Sequence, residues 1–371
     1  MAEERDVTRR AAAVNGCDRV LSQGRRPAMR DLLARWETYD LDGPPDRYGD
    51  GPVAGLEQRV AELLGTEDAA FFPTGTMAQQ VALRCWAGRT GNTTVALHPK
   101  AHPEVHESGA LSLVAGLRTV HPTREERLPD AAEVHAVTEP FGTLMLELPL
   151  RDAGFVLPGW DELTATVAAA RERDAVVHFD GARLWECTPH FARSLPEIAD
   201  LADSVYVSFY KSLAGISGAA LAGSADLVAE AKTWRHRYGG LPFQQWPTVL
   251  AALWGLDHEL PRLPGYVAHA ATVAAALREA LAERASFFRV HPAKPCTHQF
   301  QVWLPYPAEV LNDAGLRQAE ETKRAVFGAW RETSLPGLSM TEVTVSASAL
   351  DWSAEDVADG VARFLRLLPS S

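Results

Sequence analysis

A chain of 371 residues, 46% hydrophobic and 23% charged, has the make-up of a globular protein larger than one average domain. Its formal net charge of -12 argues against nucleic acid as the main partner, because phosphate binding needs a basic footprint. The four cysteines, Cys17, Cys85, Cys187 and Cys296, form no CxxC pair, which speaks against a zinc ribbon or a disulfide scaffold and fits a reducing compartment.

The first residues, MAEERDVTRR, are charged and lack the apolar stretch of a signal peptide. No apolar run is long enough to span a bilayer, so the cytoplasm is the expected location. Residues 1–45 read as an N-terminal arm that runs into the loop "DLDGPPDRYGDG". In "LEQRVAELLG", Leu56, Val60, Leu63 and Leu64 share a helical face and Gly65 supplies the stop. Short apolar runs such as "AAFF", "TTVAL", "TLMLEL", "AVVHFD" and "VYVSFY" then alternate with helix-like segments. That alternation predicts a large α/β domain over 46–255 with a mainly parallel sheet. From 256 the texture changes to an Ala- and Leu-rich helix followed by strand-like pieces, which predicts a smaller α+β domain over 256–371.

Three short stretches fall at predicted strand ends, where ligands of open α/β sheets sit. In "FFPTGTMAQQ", Thr74, Gly75 and Thr76 open a helix, which suits either a plain N-cap or a phosphate cradle of free N–H groups. In "AVVHFDGARLWE", Asp180 ends a strand and Arg183 follows. They suit either a local salt bridge or a pair that holds a protonated heterocycle and a substrate carboxylate. In "VSFYKSLAGISGAALAG", Lys211 either reaches to solvent on its stem or is held partly neutral as a nucleophile. Taken together, a nucleophilic lysine, an acid for a ring nitrogen and a helix terminus for a phosphate are what pyridoxal phosphate requires.

The sequence resembles the threonine aldolase / β-eliminating lyase family of fold-type-I pyridoxal phosphate enzymes. The likeness runs through "DRYGDGPVAGLEQRVAELLGTEDAAFFPTGTMAQQVAL", "AHPEVHESGA", "ELPLRDAGFVLP", "VVHFDGARLWE", "VYVSFYKSLAGISGAALAG" and "WRHRYGG", in the family's order and at its spacing. The resemblance implies a large domain with a seven-stranded, mainly parallel sheet between helices and a smaller C-terminal domain. It implies that Lys211 forms the Schiff base, that Asp180 faces the pyridine nitrogen and that Gly75, Thr76 and Ser208 bind the phosphate. His102 would stack on the cofactor ring and Arg183 would hold the amino-acid carboxylate. The implied activity is cleavage of β-hydroxy-α-amino acids to glycine and an aldehyde. β-Elimination on a small amino acid is the alternative, and transamination a more remote one. The implied assembly is a homodimer or homotetramer.

The histidines His98, His102 and His106 recur every four residues, a spacing that would suit a metal on a regular helix. Pro99 and Pro103 interrupt such a helix, so no metal is expected. His106 and Glu104 are left as polar lining or as proton-transfer groups. The family's Glu-Asn-Thr-His run is replaced here by "ELPLRDAGF", which lacks the histidine and places Arg151 and Asp152 nearby. Arg151 is therefore a second candidate for binding substrate, and His102, His106 or a held water remain as the base.

Overall fold

The structure is a computed structural model and describes residues 2–25 and 27–369. The chain forms two compact units, one of Met29–Leu263 and one of Met1–Ala28 together with Pro264–Ser371. The N-terminal stretch expected as a single arm is thus divided at 28/29, and the second boundary falls at 263/264.

The larger unit is built on seven strands: β1 (Asp68–Phe72), β2 (Thr94–Ala96), β3 (Arg118–Val120), β4 (Thr143–Glu147), β5 (Val176–Gly181), β6 (Ser204–Ser208) and β7 (Ala219–Gly223). Their order in the sheet is β1-β7-β6-β5-β4-β2-β3. Every residue of β4, β6 and β7 is buried, which is why these segments read as unbroken apolar runs rather than alternating ones. β7 runs antiparallel to both its neighbours, while all other pairs are parallel. The cause is local. Only residues 209–218 join β6 to β7, too short a span for the crossover that a parallel pair needs. This connection is closed by Phe209 N–H donating to Gly218 C=O (3.1 Å) and Gly215 N–H donating to Phe209 C=O (2.8 Å). At Gly218 the backbone is left-handed and a Cβ would lie 2.6 Å from the Phe71 ring, so only glycine fits. Lys211 rides on this tight connection.

Helix Pro52–Leu64 buries Val53, Leu56, Val60 and Leu64 and stops at Gly65, whose φ of 68° is the left-handed cap. Helix Gly75–Thr90 follows β1 directly and packs Ala78, Val81, Ala82 and Cys85 into one cluster with Phe72, Ala219 and Leu221.

The smaller unit carries a four-stranded antiparallel sheet in the order Arg331–Glu332, Ser339–Thr344, Gln299–Leu304, Arg289–His291. Its N-terminal contribution is explained by Arg19–Val20, which pairs parallel with Arg324–Ala325. Among the described residues, no helix is long and apolar enough to cross a membrane.

Candidate active site

Three adjacent strands carry polar residues that the register aligns side by side. Glu147 of β4 pairs with Asp180 of β5, and Asp180 pairs with Tyr206 of β6. All three are buried; Glu147 and Asp180 lie at the carboxyl ends of their strands, where a parallel sheet presents its ligand crevice, and Tyr206 sits at the middle of β6 beside them. Burial pushes the Asp180 carboxyl up, and the positive charges of Lys211 and His102 oppose that rise. Glu147 is pushed up to about 7 by burial and by the neighbouring Asp180. The Tyr206 phenol is raised well above its ordinary value, first by burial and then by Asp180.

Lys211 follows β6 by three residues and is lowered to about 8, first by burial and then by the Arg183 guanidinium. Asp180 and Glu147 pull in the other direction. The loop that carries the lysine is pinned beneath it. Trp185 Nε1–H donates to the Ser208 carbonyl (2.9 Å), and the Ser212 hydroxyl bonds Glu186. Both partners belong to the single turn that follows Arg183, so the arginine and the lysine are positioned by the same contacts. Arg183 lies over the Phe155 ring at 5.3 Å, and its Nε is buried without a hydrogen-bond partner among the described residues.

At the start of helix Gly75–Thr90, the Thr74 side chain accepts the Met77 N–H (3.3 Å), so Thr74 is a true N-cap. The first intrahelical bond is Ala78 N–H to Thr74 C=O, which leaves the Gly75 and Thr76 N–H groups at the open end of the helix. A Cβ at Gly75 would sit 2.0 Å from the Tyr206 hydroxyl oxygen, which shows how closely this backbone approaches the strand row. Ser208 is fully buried and its hydroxyl donates to Ala182 C=O (2.8 Å), tying the turn after β5 to β6.

His102 opens the one-turn helix His102–Val105, with Pro103 in the first turn, where its missing N–H is harmless. Its backbone N–H donates to Glu147 Oε2 (2.8 Å), and its Nδ1 lies 3.4 Å from Oε1 of the buried Glu107. Glu107 also accepts from Gln80 Nε2 (3.1 Å). The His106 ring lies 5.1 Å from the His102 ring, and its Nε2 meets Asp152 Oδ2 at 2.6 Å. Arg151 N–H donates to Glu147 Oε1 (3.3 Å), and the guanidinium acts on Lys211. Two histidines of the regular triplet therefore meet, and the third does not join them. His98 is buried, with Nε2 on the Glu125 carbonyl (2.7 Å) and Nδ1 accepting the Lys100 N–H (3.0 Å). Glu104 turns toward His121 at 3.9 Å.

Two residues before Asp180, and so on the same face of β5, lies His178. Trp86 Nε1–H donates to Ser204 Oγ (2.7 Å), Ser204 donates to His178 Nδ1 (2.7 Å), and Nε2–H donates to Gln79 Oε1 (2.7 Å). Burial lowers this imidazole to about 3.

Residues 26–292 match the family model for β-eliminating lyase, which is well over half of the chain. The chain belongs to the β-eliminating lyase family. Among its relatives, the low specificity L-threonine aldolase of Escherichia coli (strain K12) is 31% identical over 249 residues, or 64% of this chain and 73% of that one. A solved structure from Exiguobacterium sp. 255-15, provisionally assigned as an aromatic amino acid β-eliminating lyase/threonine aldolase, is 32% identical with a TM-score of 0.89. It aligns with 97% of this chain and 100% of its own. A structure from Listeria monocytogenes EGD-E, provisionally an L-allo-threonine aldolase, is 31% identical with a TM-score of 0.90 over 98% of this chain and 100% of its own. The architecture is that of the fold-type-I pyridoxal phosphate enzymes, and the chain is a lyase of that class.

The residues present fit that cofactor. Asp180 is a buried carboxyl that a cationic ring nitrogen would stabilise in its ionised form. Lys211 is a buried amine with its charge suppressed, and the close approach at Gly75 leaves two helix-terminal N–H groups for an anion. Sequence reading missed Glu147 and Glu107, and named Asp152 only as a neighbour. Their signal lay in "ELPLRDAGF" and "AHPEVHESGA", but the partners that define them come from other segments.

Proposed function

We propose that the protein cleaves β-hydroxy-α-amino acids of the threonine type to glycine and an aldehyde, using pyridoxal phosphate. The observation that supports this most is the buried row of Asp180 and Glu147 beside a lysine whose charge is suppressed to about 8. When bound, the cofactor supplies a sink for the electron pair of a bond broken at Cα.

In this reading each residue does one thing. Lys211, lowered to about 8, presents an amine that gives up its proton far more readily than an ordinary lysine and would hold the cofactor through its aldehyde carbon until a substrate amine takes its place. Asp180 keeps a proton on the ring nitrogen. The Gly75 and Thr76 N–H groups hold the phosphate, with Ser208 bracing the wall beside them. His102 would lie against the ring, steadied by Glu147 through its backbone and by Glu107 through Nδ1. Arg183 holds the substrate carboxylate through a guanidinium whose Nε otherwise lacks a partner, and Arg151 adds positive charge beside it. Fixing the carboxylate decides which Cα bond is broken. A histidine at the mouth, His102 or His106, takes the proton of the β-hydroxyl.

The direct test supplies the purified full chain and its cofactor with threonine, allo-threonine and phenylserine, then measures glycine and aldehyde. Release from at least one is expected, and release from none overturns the reading. A Gly75→Ala variant is expected to be destabilised by about 1–3 kcal/mol, since the new methyl must displace the packed Tyr206 ring. The same change is expected to weaken cofactor binding, read as a rightward shift in an absorbance titration. An unchanged denaturation midpoint and an unchanged titration would show that the cradle is not where it is placed here.

We further place the enzyme in the cytoplasm as a homodimer or homotetramer. Among the described residues no two of the four cysteines are joined in a disulfide, which suits a reducing compartment. Helix Met29–Trp36 buries none of its residues within the chain, and Met29 is 84% exposed, which suits burial against a second copy. Light scattering reads the assembly, and a monomer would contradict it.

A further inference from the structure

We propose that His106 is the base for the substrate's β-hydroxyl and that Asp152 is the residue that positions it. This rests on the aldolase reading above and decides between the two histidines left open there. Asp152 Oδ2 lies 2.6 Å from His106 Nε2, the tighter of the two histidine–carboxylate contacts at the mouth. A carboxylate only accepts, so the proton of a neutral His106 resides on Nε2 and the Nδ1 lone pair is left as the basic site. When Nδ1 takes a proton, the Asp152 carboxylate stabilises the resulting imidazolium through a charge-assisted bond.

The pair is built by a third residue. Glu147 binds the backbone N–H of His102 with one oxygen (2.8 Å) and that of Arg151 with the other (3.3 Å). One buried carboxylate thus clamps the turn bearing His106 to the turn bearing Asp152. That second turn is closed on itself by Gly154 N–H to Arg151 C=O (2.9 Å) and by the Leu150–Val156 bridge. His102 is the poorer base because its carboxylate contact, to Glu107, is 3.4 Å against 2.6 Å for His106, and a ring laid flat on a cofactor would offer its π face. His106 is one helical turn further out and its side chain keeps 29% of its surface exposed, so it can return the proton to solvent. In the step itself the hydroxyl O–H breaks and Nδ1–H forms. The oxygen's electron pair becomes the aldehyde C=O, the Cα–Cβ bond breaks, and its pair stays with Cα until a proton gives glycine.

The test separates this step from Cα chemistry by running two assays on the same holoenzyme. One is cleavage of phenylserine and threonine, and the other is exchange of the glycine α-hydrogen in deuterated water, which involves no β-hydroxyl. In Asp152→Asn, kcat for cleavage is expected to fall about 30-fold with KM changed less than about 3-fold. In His106→Gln the fall is expected to reach about 100-fold. In both variants cleavage falls at least about tenfold more than glycine exchange, and Asp152→Glu recovers part of it. Nitrogen-15 NMR of the histidine rings, read without turnover, is expected to show His106 as the Nε2–H form in the wild type and as a mixture in Asp152→Asn. Equal losses in both assays, or an unchanged ring spectrum in Asp152→Asn, would overturn the assignment. Wild-type enzyme that exchanges glycine but cleaves no β-hydroxy amino acid would instead overturn the aldolase reading on which it rests.

Discussion

Replacing Lys211 with alanine is expected to remove the visible band of the cofactor-loaded protein and to reduce turnover to background. The wild-type amine is placed to be reactive near neutrality, because burial and the Arg183 charge lower it to about 8 from an ordinary 10.5. The sign follows directly: below about 8 the amine is mostly protonated and unable to attack, and above it mostly free. Capture of the aldehyde by cofactor-free protein should therefore quicken with pH up to about 8 and then level off, rather than keep rising toward 10.5. Stopped-flow absorbance across pH 6–10 reads the curve, and reductive trapping followed by peptide mass spectrometry locates the bond. A bond at any residue other than 211 would end the assignment. Asp180→Asn should keep the bond but lower turnover on the order of 10²-fold, since the ring nitrogen loses its counter-charge.

The second large effect belongs to Arg183. Arg183→Met is expected to raise KM for an amino-acid substrate by about 100-fold, the loss of a charge-assisted carboxylate bond worth roughly 3 kcal/mol. Because the guanidinium is the second cause of the lowered Lys211 value, the same variant should also move the capture curve to higher pH. Arg183→Lys keeps the charge but not the planar fork, so it should restore the curve more fully than KM. A variant with wild-type KM would show that the carboxylate is held elsewhere, with Arg151 the next candidate.

The parts of this site legible from sequence are those in which one segment suffices. An apolar run ending in Asp180, a glycine between threonines opening a helix, and Lys211 three residues past a strand are all local patterns. The same is true of the helix stop at Gly65 and of the parallel strands β2, β4, β5 and β6, whereas the short, partly exposed β3 carries no apolar run to mark it. What escaped notice depends on pairings between distant segments. Glu147 looks like any acidic residue until the β4–β5 register sets it beside Asp180, and Asp152 becomes a partner only once Glu147 joins two turns. The resemblance places Ser208 at the phosphate, and its bond to the Ala182 carbonyl is a partner that no single segment announces. Likewise the first 28 residues read as part of an arm, because nothing in "DRV" announces pairing with the strand at 324–325.

The Trp86–Ser204–His178–Gln79 chain has a practical consequence for every experiment above. Each nitrogen of that imidazole is satisfied by an uncharged neighbour, and at about 3 it stays neutral from pH 5 upward. The foundation under Asp180 is therefore silent to acidity. Any bend in a rate profile near neutral pH must report the rim and the crevice, not a loosening of the scaffold below.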